Sequence, residues 1–228
     1  NTLTDFMKMK RAAVDSAVDG MIDAGLKVEK KAMVEKIFEL YWKEGVEDQK
    51  IFNKILEKEL GRVDYRILAA GILAYRRAKT GSQAVYPRVH QTLIELMRWG
   101  IKRVVISDAP KLEVWLRIVG LGLHHFFDDV ITSEDFGVKK PDPKPYRRAL
   151  ELLGTKPDET LMVGDWPDRD IKGAKGVGIR TAWAKYGDTF DTKESGAEFE
   201  LDSIYELIDI IRRENGLPAA TVKQGVPA

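Results

Sequence analysis

The spacing of apolar residues changes character near residue 85, and that change constrains the fold more than any single motif. From residue 4 to about 80 the spacing is helical throughout. Val14, Ala17, Val18, Met21 and Ile22 recur at i, i+3, i+4, i+7 and i+8, and Val34, Ile37, Phe38, Tyr41 and Trp42 repeat the pattern. A third helix carries Ile51, Phe52, Ile55 and Leu56 ahead of Gly61, and a fourth runs from about Val63 to Arg77 and stops at Thr80-Gly81-Ser82. Gly25, Gly45 and Gly61 mark the breaks, as helix C-termini favour glycine. These residues predict a small helical bundle. From about Pro87 short apolar runs alternate with helical segments. Helix 88–99 ends at Gly100, and strands are expected at 103–106, 129–132, 161–163 and 179–183. Helices are expected at 110–119, after Pro143, from Asp168, and at about 203–213, the last presenting Ile204, Leu207, Ile208 and Ile211 to the sheet. Strands alternating with helices imply right-handed crossovers and a parallel sheet.

Composition removes several function classes. In 228 residues, 37 Lys and Arg stand against 36 Asp and Glu, so no global charge draws the chain to nucleic acid or a membrane surface. The absence of cysteine excludes disulfides, thiol catalysis and thiolate metal sites. His90, His124 and His125 are too few and too poorly spaced for a histidine zinc site. No apolar run approaches the ~18 residues of a membrane span, and the first residues do not read as a signal peptide. A cytoplasmic protein is therefore expected.

Three segments carry chemistry. In Leu161-Met162-Val163-Gly164-Asp165-Trp166-Pro167-Asp168-Arg169-Asp170 a short apolar strand ends in a glycine and then three acids within six positions. Carboxylates at the C-terminal end of such a strand face the crevice where open α/β sheets bind ligands. Clustered acids repel unless a positive group sits among them, and a hard cation with oxygen ligands meets that need. The competing reading is a solvated acidic turn at a helix N-terminus. Strand 103–106 delivers Ser107-Asp108, where a hydroxyl and free N–H groups can hold a phosphate oxygen; an ordinary capping pair before Pro110 is the alternative. The turn Gly137-Val138-Lys139-Lys140-Pro141-Asp142-Pro143 is stiffened by its prolines and can aim one ammonium at an anion, although turn lysines usually face solvent.

In this order and at these distances the three segments resemble motifs II, III and IV of the haloacid dehalogenase-like superfamily, over nearly the whole chain. The resemblance implies a Rossmann-like parallel-sheet α/β core, residues 1–3 plus 83–216, with an inserted all-α cap of the C1 type at 4–82 and a flexible tail at 217–228. It assigns phosphate binding to Ser107, with Asp108 and Asn1 beside it, and charge neutralisation to Lys140. It makes Asp165 a magnesium ligand and Asp170 the supporting acid behind it. The segment 127–133 before the lysine turn is also typical of the family. The first motif, Asp-x-Asp-x-Thr, matches only in part: Asn1-Thr2-Leu3 looks like its remainder, with Thr2 as its threonine and both aspartates absent. In this family the first-motif strand lies mid-sheet, ~4.8 Å from a neighbour on either side, so a core without it would contain a gap and two rows of orphaned backbone groups. An upstream apolar segment ending in Asp-x-Asp is therefore expected, and intact-mass analysis of the natural protein tests it.

The function implied is a magnesium-dependent phosphatase acting on a small phosphorylated metabolite through an aspartyl-phosphate. Phosphonatase, phosphomutase or 2-haloacid dehalogenase chemistry are the alternatives within the superfamily, and a catalytically dead phosphate-binding module is the alternative outside enzymology. Gly164-Asp165 together with Asp170 favours the metal-dependent phosphatases over the dehalogenases. Elsewhere His124-His125 reads as a helix cap, and Gly173, Gly176 and Gly178 lack the dinucleotide-binding spacing. Arg76, Arg77 and Lys79 form a basic run that either faces solvent or meets an anionic substrate. Trp166 either packs under the cap or lines the entrance.

Overall fold

In the computed structural model, which describes residues 1–217, the helical half comprises α1 (Phe6–Asp23), α2 (Lys30–Glu44), α3 (Ile51–Leu60) and α4 (Tyr65–Ser82). Side-chain caps start three of them. Asp5 accepts from Lys8 N, Glu29 from Lys31 N and Ala32 N, and Asp64 from Arg66 N and Ile67 N, satisfying amides that a helix cannot pair internally. Met21, Met33, Ile37, Ile51, Ile55 and Leu56 are fully buried in a hydrophobic core drawn from this half alone. The fourth helix runs further than its sequence suggests, through Gly81 to Ser82. Lys79, in its last turn, is anchored on Glu113 of the other half, and that tertiary contact overrides the weak propensity of glycine.

The second half contains α5 (Val89–Arg98), β1 (Val104–Ser107), α6 (Lys111–Gly120), β2 (Asp129–Thr132), α7 (Pro143–Leu153), β3 (Leu161–Gly164), α8 (Lys172–Lys175), β4 (Arg180–Ala184), β5 (Phe199–Leu201) and α9 (Glu206–Asn215). All the pairings are parallel. β1 meets β2 from Val104↔Asp129 to Ser107↔Thr132, β3 meets β4 from Leu161↔Arg180, and β4 meets β5 from Ala182↔Phe199. β5 is an addition to the expected strands. Between Asp168 and Ile171 the expected helix is a wide π-helical turn, Pro167–Ile171, before α8 begins. That turn lets the Asp170 carboxylate fold back onto the Trp166 N–H. Val89, Leu123, Ala182, Leu201 and Ile208 lie at the centre of a second core, with Ile204 and Leu207 buried and Ile211 at its margin.

The two sheets do not join. β1 and β3 face one another across a cavity of about 690 Å3, lined by Val104, Val105 and Ile106 on one side and Leu161, Met162 and Val163 on the other. Lys140, Asp170 and Thr2 are also among the residues lining it.

Two strands of chain link the halves side by side: Thr4 and Val85 form an antiparallel bridge, and Tyr86 N donates to Leu3 O at 2.9 Å. Ion pairs clamp them further, Arg117 with Glu47 at 2.9 Å and Lys79 with Glu113. Lys79 of the basic run is thus committed to the junction between the halves. His124 and His125 stack ring on ring, 3.8 Å between centroids, in a short turn after α6. Among the described residues no helix is long and apolar enough to cross a membrane. From residue 218 onward the expected tail lies outside the described residues.

Candidate active site

Lys140 is the hub of the site. Its ammonium donates to Asp170 Oδ1 at 2.6 Å and to the carbonyl of Ile106, the residue before Ser107, at 3.2 Å. Its own N–H donates to Asp108 Oδ1 at 2.9 Å. Burial alone would drive the ammonium to lose its proton. The carboxylates of Asp170, Asp108 and Asp165 outweigh that penalty and raise its pKa, so Lys140 stays charged across the physiological range. The turn that carries it is fixed by Asp142, which accepts from Lys144 N as the N-cap of α7, with Pro143 opening that helix.

Ser107 ends β1. Its Oγ accepts from Ala109 N at 3.3 Å, which leaves the O–H free to donate to an incoming oxygen. Ser133 Oγ holds the next carbonyl, that of Asp108, at 3.1 Å. The Asp108 carboxylate is engaged on both oxygens, by Lys140 N and by Arg169 Nη1 at 3.1 Å. It braces the lysine turn, and only the amides around it remain to face an anion.

Just beyond β3, Asp165 Oδ1 accepts from Thr2 Oγ1 at 2.7 Å and from the backbone nitrogen of Asn1 at 2.8 Å. Asn1 Oδ1 accepts from Met7 N, and Tyr186 donates its hydroxyl to Thr2 O at 2.6 Å. The Trp183 indole N–H donates to Asp165 O at 3.2 Å. Two glycines permit this closeness. A Cβ at Gly164 would overlap the Asp170 side chain, and one at Gly187 would stand 2.5 Å from Asn1 O and 3.0 Å from Asp165 Cβ.

The sequence suggested that a cation must relieve the repulsion within the acidic run, and much of that relief comes from the protein itself. Asp170 is paired with Lys140, Asp108 with Arg169, and Asp168 is exposed. Arg169, inside the run, supplies one of these charges. Asp165 is left with no cationic side chain as partner among the described residues. No cluster of three or more carboxylate or imidazole groups forms a closed cage there either. A single carboxylate at the end of a strand fits a hard cation that keeps waters and takes oxygens from the substrate, as magnesium does. It does not fit a structural zinc site.

Ser107, Lys140, Asp165 and Asp170 thus converge from two separate sheets, with Thr2 and Asn1 behind Asp165. Gly187, Tyr186, Trp183 and Arg169, which support them, were not evident in the sequence because their partners are remote in the chain.

A family model for haloacid dehalogenase-like hydrolases matches residues 1–178. The chain is 35% identical to the glyceraldehyde 3-phosphate phosphatase of Methanocaldococcus jannaschii over 215 residues, 93% of each chain. It is 33% identical to the protein of the same name from Pyrococcus furiosus, covering 95% of this chain and 91% of that one. Among solved structures, the HAD phosphatase of Thermococcus onnurineus superposes with a TM-score of 0.65 at 26% identity, over 92% of this chain and 94% of that one.

Proposed function

Because the chain belongs to the haloacid dehalogenase-like hydrolase family, we propose that it is a magnesium-dependent phosphatase of small phosphorylated metabolites, with a three-carbon ester such as glyceraldehyde 3-phosphate as the first substrate to test. One observation carries the reading: Lys140, held charged by three carboxylates, stands between the Ser107 hydroxyl end of β1 and the Asp165 end of β3. We take residues 4–82 as the cap over this site and residues 1–3 with 83–216 as its core.

In this reading the Ser107 O–H and the Lys140 ammonium hold two phosphoryl oxygens and spread the charge that builds on them, so catalysis is chiefly positioning and electrostatics. Asp170 keeps Lys140 extended, and Asp108 fixes its backbone. Asp165 would hold the magnesium ion, with Thr2 setting the carboxylate's orientation; bound there, the ion supplies charge neutralisation to the phosphoryl group. The attacking carboxylate belongs at the mouth of the cavity, on a strand pairing with the facing edges of β1 and β3. Its oxygen forms a bond to phosphorus as the ester oxygen leaves, and water then splits the aspartyl-phosphate to release inorganic phosphate.

The test is hydrolysis of p-nitrophenyl phosphate, glyceraldehyde 3-phosphate and phosphoserine by the natural protein, with and without magnesium. Asp165→Ala is expected to abolish turnover while leaving the circular dichroism unchanged. Full activity in that variant rejects the metal role, and phosphate binding without turnover in the wild type makes the protein a binding module instead.

A further inference from the structure

Trp166 directly follows Asp165. It packs on Phe190, from the loop after β4, with centroids 4.5 Å apart. Phe190 in turn meets Trp42 of α2 edge-on, with centroids 6.1 Å apart. Trp42 and Phe190 remain 49% and 43% exposed, so this contact is not part of either hydrophobic core. The loop is built to hold Phe190 out. Asp188 accepts from Phe190 N at 3.2 Å and from Thr192 N at 2.8 Å, and Asp191 sits in the left-handed region at φ 53°. From Trp166 the contacts continue inward. The Arg169 guanidinium lies 3.7 Å from the centroid of the Trp166 ring, and its Nη1 donates to Asp108, which holds Lys140 N.

We propose that Phe190 is a positioning residue for the phosphate site: wedged between Trp42 of the helical half and Trp166, it holds the halves together and, through Arg169 and Asp108, fixes the arm that carries Lys140. The inference rests on the phosphatase reading of that site. Every link is a direct contact between side chains or a hydrogen bond, and the two ends lie in different halves of the molecule, so a change in how the halves meet is transmitted to the phosphate-binding ammonium.

The experiment compares wild type, Phe190→Ala, Phe190→Tyr, Trp42→Ala and the Phe190→Ala/Trp42→Ala double variant of the natural protein, on glycerol 3-phosphate and on p-nitrophenyl phosphate with magnesium. Phe190→Ala is expected to raise KM for glycerol 3-phosphate about tenfold with a smaller change in kcat, within the scale that misplacing a binding group costs. KM for the aryl ester should rise by a similar factor, because both esters place their phosphate on Lys140. Phe190→Tyr restores the wild-type KM, and the double variant is no worse than Phe190→Ala, because both changes cut one link. A loss on one ester only, unchanged KM, or additive losses overturn the inference while the phosphatase reading stands. A wild type that hydrolyses neither ester removes the reading and the inference together.

Discussion

The Lys140 ammonium lies 2.6 Å from Asp170 Oδ1, and the two side chains are only 13% and 4% exposed. A pair so deeply buried adds little net stability, because desolvation consumes most of the Coulomb gain, yet breaking it strands a charge. Asp170→Asn is therefore expected to cost about 3 kcal/mol in denaturant unfolding and more than a hundredfold in kcat/KM. Lys140→Met added to that variant should recover most of the stability and none of the activity. A double variant as unstable as Asp170→Asn alone would show that the cost lies in packing rather than in the stranded charge.

Gly164 is the second point at which the site tolerates no change. The Asp170 side chain occupies the space that a Cβ at residue 164 would need, so Gly164→Ala has to push Asp170 off Lys140 or off the Trp166 N–H. We expect phosphatase activity to fall by at least tenfold with a loss of about 1–3 kcal/mol, the usual cost of overpacking. Gly176→Ala, where the nearest atoms are backbone at 3.4 Å, serves as the control and should be close to neutral.

What the sequence made legible was local. β2 spans the four residues read as a strand, and the apolar stripes of α1 to α3 bury most of the residues their periodicity selected, with Ile22 and Val34 half-buried and Trp42 exposed. β5 escaped because Phe199-Glu200-Leu201 is too short to show alternation, and it exists only through its pairing with β4. The same limit applies at the site. Ser107, Lys140, Asp165 and Asp170 could be found as residues at strand and turn ends, since a strand tip is a feature of a few consecutive positions. Their braces could not. Arg169 reaches Asp108 across 61 positions and Tyr186 reaches Thr2 across 184, and no local pattern encodes contacts made by the packing of distant elements.

Tyr146 offers a test of such a brace. It is fully buried, and its hydroxyl donates to the Arg169 carbonyl at 2.7 Å, tying α7 to the turn that presents Asp170. Tyr146→Phe removes one hydroxyl and leaves a carbonyl short of its partner, for an expected loss of about 1–2 kcal/mol. KM for phosphate esters should rise more than kcat falls, because Arg169 and Asp108 then hold the lysine turn less firmly. Unchanged urea midpoint and unchanged KM would show that the hydrogen bond contributes nothing to either.

Lys10 gives a prediction that depends on pH. Its ammonium is 3% exposed in α1, donating to Tyr75 OH at 3.0 Å and lying 4.0 Å from the Tyr41 ring centroid. Burial lowers its pKa from 10.5 to about 8, with Glu47 and Glu113 opposing that fall and Lys79 and Arg117 adding to it. Below about pH 8 the folded and unfolded chains both carry the proton, so the full desolvation penalty stands at neutral pH. Between about 8 and 10.5 the unfolded chain binds a proton that the folded one lacks, so this residue makes stability rise with pH over that window. The penalty is on the order of 3 kcal/mol at 1.36 kcal/mol per pH unit, partly offset by cation–π attraction of ~1–2 kcal/mol. Lys10→Met keeps the apolar stem and removes the charge. It should be more stable than wild type by about 1–2 kcal/mol at pH 7, and the advantage should shrink toward zero by pH 10. Urea titrations of both proteins at the two pH values give that difference directly, and an advantage of equal size at both would mean that Lys10 is not titrating in the folded protein.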